Sequence, residues 1–374
     1  MTRTRRTRRA GVALAVAAVL AAGCGGEERE REQAPLTDPA VAAVLEELLP
    51  QGADGTVAVD RGGELVHCAG FGDPEAGCDT VYDIGSNTKQ FTAAAVLRLE
   101  RQGELNVTDR LSEHLDGREL PPDKREITLH HLLTHTAGLP DSLGDDYDPL
   151  TREEMLDGAL AAEPIAEPGE RFAYSNLGYS VLAAVVEIAS GRDYEAYLAE
   201  ELFAPAGMTS TGYVLPDWDP ADVAVEYDPR GEPMGRPYDH PWAEDGPHWN
   251  LRGNGGLLST ARDMHRWHRA LQGGAVLDAG ARERLVEPWA EMPPESEDDP
   301  PFAYGYGWMT FTLEDGTPVA LHSGGNDWSL SVIARYLDDG SMVFWVTNTA
   351  AREGAWNFDD LTRELTLDLG ATTR

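Results

Sequence analysis

Ser86 and Lys89 stand three residues apart in VYDIGSNTKQFTAAAVLRLERQG, residues 81–103. A short apolar lead-in ends at Gly85, and a helical pattern starts at Ser86, so both side chains fall on one helix face. A serine at a helix start lies in a partial positive charge that favours a developing alkoxide. A lysine beside it becomes a base for the serine proton once burial lowers its pKa. The pair has the pattern of a serine nucleophile with its activating base. The chain holds only two lysines, Lys89 and Lys124, against 28 arginines. Arginine cannot give up its proton, so a lysine kept at this position is informative.

Two further segments supply polar groups. In PGERFAYSNLGYSVLAAVVEIASG (168–191), Tyr174 and Asn176 precede an apolar helix. Tyr-x-Asn in an extended loop presents both side chains to one side. Tyr174, beside cationic groups, is expected to exist partly as phenolate and to relay protons. Asn176 offers both a donor and an acceptor. In LHSGGND (321–327), His322, Ser323 and Gly324 lie on a strand, and Gly325 lets a substrate approach the backbone closely.

The elements that must position these groups follow from periodicity. Asp38 and Pro39 open a helix whose apolar residues at 41, 44, 45, 48 and 49 keep helical spacing. TVAVD (56–60) and GELVHCAGF (63–71) flank a hairpin signal at Arg61-Gly62. TPVALHS (317–323), SVIARYL (331–337) and SMVFWVTN (341–348) read as strands, and 357–369 as a closing helix. Strands thus cluster at both ends of the chain. The expected class is α/β (α+β): one sheet built from about 37–85 and 300–369, covered by helices, with a mainly helical insertion over about 90–300. The loop over about 215–250 and the acidic stretch 291–300 are either cleft edges or solvated loops.

With these motifs together, the chain resembles the penicillin-recognising serine hydrolases: class C β-lactamases, D,D-peptidases, D-aminopeptidases and related esterases. ITLHHLLTHTAGLPD (127–141), ELFAPAGMTSTGY (201–213), NGGLLSTARDM (254–264) and YGYGW (304–308) occur in the order seen in that family. The resemblance spans about 37–350. It implies an antiparallel sheet with helices on both faces and a β-lactamase/transpeptidase-like fold. It also implies that Ser86 is the acylated nucleophile and Lys89 its proton acceptor. Tyr174 would act as general base or acid, and Asn176 would orient the substrate. His322 takes the place often held by lysine. The backbone N–H groups of Ser86 and Gly325 would form the oxyanion hole. Ser323, Gly324, Trp308 and Trp328 are the expected substrate-binding residues. Trp328 stands where the family usually has glycine and is expected to narrow the pocket. Tyr304 and Tyr306, like Trp308, either line the cleft or pack under the sheet. No metal and no organic cofactor are implied. His131 and His135, spaced as a helical metal pair, match a structural turn in the family instead. His265 and His268 are expected to be surface or groove residues.

The third motif opens with histidine rather than the lysine usual in true β-lactamases of this class. No Lys or Arg lies between Trp308 and His322. The candidate cations are Arg252, Arg262 and Arg335, outside that stretch, so a free substrate carboxylate lacks an evident partner. The expected substrate is a small ester or amide. Cell-wall D-amino-acid peptides come next, through D,D-carboxypeptidase or D-aminopeptidase action, and then β-lactams. A penicillin-binding sensor or pseudoenzyme that acylates without turnover is the alternative outside catalysis.

Charge and the N-terminus bound the setting. The net charge is −35. Without the five arginines of residues 1–23 it becomes about −40, which excludes a nucleic-acid partner and a polybasic membrane surface. Residues 1–9 are cationic, and 10–22 form an apolar run too short to span a membrane. The run ends in Leu20-Ala21-Ala22-Gly23-Cys24, which resembles a bacterial lipobox. Residues 1–23 are therefore expected to be a signal peptide and Cys24 a lipidated anchor, with plain secretion as the alternative. Residues 24–36 read as a tether, and 37–369 as the hydrolase domain. Cys68 and Cys78 remain as an even pair for an oxidising compartment, so a disulfide between them is expected.

Overall fold

Valine-rich alternation at the two ends of the chain produces the central sheet. The computed structural model describes residues 35–49, 52–294 and 301–349, together with Thr362, Leu365, Thr366, Leu369 and Gly370. The leader, Cys24, most of the tether and the stretch 295–300 lie outside the described residues. Strands β1 (Gly55–Arg61) and β2 (Glu64–Phe71) form the N-terminal hairpin. Three short strands follow in the body of the chain: β3 (Val81–Asp83), β4 (Glu226–Tyr227) and β5 (Pro233–Gly235). They are succeeded by β6 (Leu258–Thr260), β7 (Ala290–Glu291), β8 (Ala303–Tyr304) and β9 (Met309–Thr312). The C-terminal strands are β10 (Pro318–Gly325), β11 (Leu330–Tyr336) and β12 (Met342–Thr347).

The main sheet has the order β2-β1-β12-β11-β10-β9-β8-β7, and every pairing is antiparallel. Strand β1 lies against β12, with Val57 opposite Trp345, so the chain ends meet in the middle of the sheet. This is the β-lactamase/transpeptidase-like arrangement that the motifs imply.

Period-two alternation gives the sheet two apolar faces. Val57, Val59, Val332, Ala334, Val343 and Trp345 bury one face against helix α1 (Pro39–Leu48) and against Leu365 and Leu369 of the C-terminal helical residues. Asp38 caps α1 by accepting from the N–H groups of Ala40 and Val41. Ala58, Ile333, Phe344 and Val346 face the other way, into the larger core shared with the helices.

Helix α2 (Thr88–Gln102) is central to that core. Its run Ala93, Ala94, Ala95, Val96 and Leu97 is fully buried, so it has no solvent face. Helix α5 (Asn176–Ser190) packs against it, and helices α3 (Leu129–Leu133) and α4 (Arg152–Ala161) pack against α5. Phe91 of α2 meets Trp267 of α6 (Ala261–Gly273) with ring centroids 4.7 Å apart. Within the span 90–300, α6 lies on the sheet and β7 extends the sheet's edge. The apolar stripe Met264, Trp267 and Leu271 makes α6 a sheet-covering helix.

His268, expected near the surface, is instead buried between α6 and the sheet. Its Nε2 lies 3.0 Å from the Gly340 carbonyl, and its Nδ1 accepts from Arg335 Nε at 3.2 Å. His265 bonds the buried Asp60 carboxylate at 2.8 Å.

Leu36 pairs through its backbone with Cys68 and so covers part of the β2 edge. Cys68 is joined to Cys78 by a disulfide across a sequence separation of 10. Closing a loop of that size stabilises the folded state by about 2–3 kcal/mol through lost unfolded-state entropy. Replacing both cysteines by serine is expected to lower the unfolding free energy by that amount. An unchanged denaturant midpoint would contradict this.

Candidate active site

Two glycines let the turn that carries Ser86 and the sheet touch through their backbones. Residues Gly85–Asn87 form a 3₁₀ turn that runs straight into α2. A Cβ on Gly85, whose φ is +49°, would lie 2.2 Å from the Gly325 nitrogen. A Cβ on Gly324 would lie 2.2 Å from the Ile84 carbonyl and 2.6 Å from the Ser86 nitrogen. Both distances are far inside van der Waals contact, so only glycine fits. The result brings the Ser86 and Gly325 backbones side by side. Gly324 is thereby a packing contact for the nucleophile's turn.

Ser86 is partly exposed amid buried neighbours. The Lys89 ammonium donates to Ser86 Oγ at 3.0 Å, to Asn176 Oδ1 at 2.7 Å and to the Asn254 carbonyl at 2.8 Å. Lys89 is wholly buried. Burial pushes its pKa down to about 7, against the opposing pull of Asp141 and Asp146. Among the described residues no carboxylate pairs with it directly, so it is poised to be neutral near physiological pH. Asn176 is the first residue of α5, one step past the capping Ser175. Its amide donates to Asp141 Oδ1 at 3.1 Å, which turns its oxygen toward Lys89. Asn254 is fixed by its own amide, which donates to Ser180 Oγ and to the Asn250 carbonyl.

Tyr174 stands beside Ser86, close enough for the serine to oppose part of the rise in its pKa. Its ring lies 4.8 Å from Lys89 Nζ. The phenolate expectation fails here. Burial raises the Tyr174 pKa well above its usual value, with Asp141 adding to the rise and Ser86 opposing it only in part, so Tyr174 is a neutral phenol. His135 holds its loop. The Ala173 N–H donates to the His135 carbonyl at 2.8 Å, and the Ser175 N–H donates to His135 Nδ1 at 3.0 Å. The imidazole also lies against the Tyr174 ring with centroids 4.3 Å apart.

His322 sits behind this group and does not take the catalytic place assigned to it. Its Nδ1–H donates to the Ser323 carbonyl at 2.6 Å, and its Nε2 accepts from the Tyr304 hydroxyl at 2.9 Å. Burial, then Lys89, pushes its pKa down to about 3. It is a neutral ring with both nitrogens engaged, and it positions Tyr304, whose ring meets Tyr174 edge-on at 6.4 Å. Trp308 likewise lies away from the place expected for a substrate-binding residue. It is fully buried over the Arg335 guanidinium at 5.2 Å and lines the core rather than the cleft. Tyr306 is buried and bonds His130 at 2.8 Å.

Trp328 stands in the loop after β10 and is partly exposed. It stacks on His240 with centroids 4.2 Å apart and planes 11° apart, and Tyr147 completes the ring group. The loop over 215–250 thus reaches this end of the sheet through Glu226 and His240, which are bonded at 2.8 Å. Local pattern marks none of Asp141, Asn254 and Asn326, and it marks His135 only through its spacing from His131. Asp141 and Asn254 lie in stretches whose order supports the family resemblance, which is the one signal that marks them. Among the described residues no helix is long and apolar enough to cross a membrane.

Comparison with known proteins agrees with this geometry. The chain is 27% identical over 320 residues to "Penicillin-binding protein 4*" of Bacillus subtilis (strain 168), covering 79% of this chain and 68% of the relative. It is 30% identical over 243 residues to "Putative penicillin-binding protein PbpX" of the same strain, 63% of this chain and 59% of the relative. The chain therefore spans about two thirds or less of these relatives. The octameric penicillin-binding protein homologue of Pyrococcus abyssi superposes with a TM-score of 0.73 at 25% identity, over 88% of this chain and 76% of that one. The family description "Beta-lactamase" matches residues 41–367, and the chain belongs to that family.

Proposed function

We propose that this protein is a serine hydrolase that acts on small esters or amides through an acyl-enzyme on Ser86. One observation carries the reading: a wholly buried lysine, with its pKa pushed down to about 7, lies 3.0 Å from the Ser86 hydroxyl. Neutral Lys89 takes the Ser86 proton as Oγ attacks the substrate carbonyl carbon. The Ser86 and Gly325 N–H groups receive the oxyanion. Collapse of the tetrahedral intermediate expels the alcohol or amine. The leaving group takes its proton from the Tyr174 phenol, which Lys89 reprotonates. Water then attacks the acyl-enzyme along the reverse path and frees Ser86.

A substrate with a free carboxylate fits less well. Arg252 is engaged by Asp245, Arg262 by Asp79, and Arg335 by His268 and Trp308. The charges that Lys89 feels are those of Asp141 and Asp146. D-aminopeptidase action therefore ranks above D,D-carboxypeptidase action, and β-lactam hydrolysis comes after both. The hydrolase occupies 37–369, behind a signal peptide (1–23) and a tether (24–36). Its placement is extracytoplasmic, on a lipid anchor at Cys24 or, failing that, secreted.

A short-chain nitrophenyl ester, a chromogenic cephalosporin and a D-Ala-D-Ala peptide, offered to wild type and Ser86→Ala, test the reaction. Ser86→Ala is expected to lose at least about a thousandfold in kcat. Turnover that survives the substitution rejects Ser86 as nucleophile, and stoichiometric acylation of wild type without turnover selects the sensor instead.

The base has its own test. Lys89 is the active base only when neutral, so kcat/KM is expected to rise with pH through a midpoint near 7. Lys89→Arg stays protonated at all these pH values and should lose at least about a hundredfold with no such limb. A wild-type profile flat from pH 5.5 to 8.5 would remove Lys89 from the base role.

A further inference from the structure

The turn that follows the third motif holds a side chain whose every polar group is spent on one task. Asn326 Nδ2 donates to Asp83 Oδ2 at 3.1 Å and to Glu226 Oε1 at 3.0 Å. Its Oδ1 accepts from the N–H groups of Trp328 at 2.8 Å and Ser329 at 2.6 Å. Its own N–H donates to the Ser329 carbonyl at 2.9 Å. Asp83 Oδ1 in turn accepts from the Gly85 N–H at 2.7 Å. Glu226 Oε1 also accepts from Ser329 Oγ at 2.7 Å. One amide therefore joins β3, β4 and the β10–β11 turn. Its covalent neighbour on one side is Gly325. Through Asp83 it reaches Gly85, the covalent neighbour of Ser86.

We infer that Asn326 is the positioning residue of the oxyanion hole, fixing the Gly325 N–H relative to the Ser86 N–H through its bridge to Asp83. The inference rests on the hydrolase reading above. Gly85 and Gly324 permit the two backbones to touch, but contact alone does not fix their register. A polar cross-link with buried partners does. Asp83 and Glu226 are both buried, at 4% and 1% exposure. Two carboxyl groups this close, with little water, need the donor that lies between them. An oxyanion hole acts chiefly in the transition state, so loosening it lowers kcat and leaves ground-state binding nearly intact.

The test compares wild type, Asn326→Ala, Asn326→Asp and the exchange Asn326→Asp/Asp83→Asn. Asn326→Asp keeps the acceptor for Trp328 and Ser329 but loses the donor to Asp83. The exchange restores one donor and one acceptor across the bridge with the same number of carboxyl groups. Both single variants are expected to lose about 10- to 100-fold in kcat per titrated active site, with KM changed less than about threefold. Affinity for a boronic acid, which mimics the tetrahedral oxyanion, should fall in parallel. The exchange should recover at least about fivefold of the lost kcat.

A kcat per active site within about twofold of wild type in both single variants overturns the inference, even where folded yield falls. So does a loss confined to KM, or an exchange no better than Asn326→Asp alone. Failure of wild type to acylate at all is a different result, because it rejects the hydrolase reading itself.

Discussion

A single buried amine governs this site. As an ammonium, Lys89 has three N–H donors, and the fold supplies three acceptors: Ser86 Oγ, Asn176 Oδ1 and the Asn254 carbonyl. As a neutral amine it has two donors and one lone pair. The bonds to Asn176 and Asn254 then persist, and the lone pair turns to Ser86, whose O–H becomes the donor. The same three contacts thus serve both protonation states, and only the bond to the nucleophile reverses. Burial pushes the Lys89 pKa to about 7, where the two states are comparably populated.

That arrangement demands convergence from distant parts of the chain. Lys89 comes from α2, Asn176 from the first turn of α5, and Asn254 from the loop before β6. Helix α2 is buried from Thr88 to Leu97 and packed among the other helices, so its first turn has little freedom. Asp141 fixes the Asn176 amide, and Ser180 with Asn250 fixes Asn254. The tolerance is a few tenths of an ångström, because hydrogen bonds weaken quickly beyond about 3.2 Å.

Local spacing made the Ser86–Lys89 and Tyr174–Asn176 pairs visible in the sequence, since each depends on neighbours within three residues, and the structure brings the two pairs together. The sheet was equally visible, because alternation marks strands directly. What spacing does not encode is which groups meet across 165 residues, as Lys89 and the Asn254 carbonyl do. A backbone carbonyl leaves no residue-type signature at all. Trp308 was misplaced for a related reason: aromatics near a motif do not reveal which face of the sheet they take. His322 occupies the expected strand, yet its role turns on Tyr304 and Ser323 consuming both ring nitrogens. For Tyr174 the sign of the shift depended on comparing two opposing effects, and desolvation is the larger.

The surrounding bases follow from the same amine. His135 and His322 are held neutral first by burial and then by the Lys89 charge, and His322 further lowers His135. Three nitrogen bases therefore share a low-dielectric space that accommodates one proton. Once Lys89 holds it, neither histidine ionises. Neutral His135 keeps Nδ1 as an acceptor for the Ser175 N–H, and neutral His322 keeps Nε2 as an acceptor for Tyr304. A proton on either ring would turn that acceptor into a donor and break the bond that holds Tyr174 or its neighbour. Mutual exclusion of protons thus protects the geometry around Lys89, and in the mechanism proposed above it leaves one proton to pass between Ser86, Lys89 and Tyr174. Under that proposal an arginine in place of Lys89 would pin the proton permanently, so lysine is the cation that the role requires.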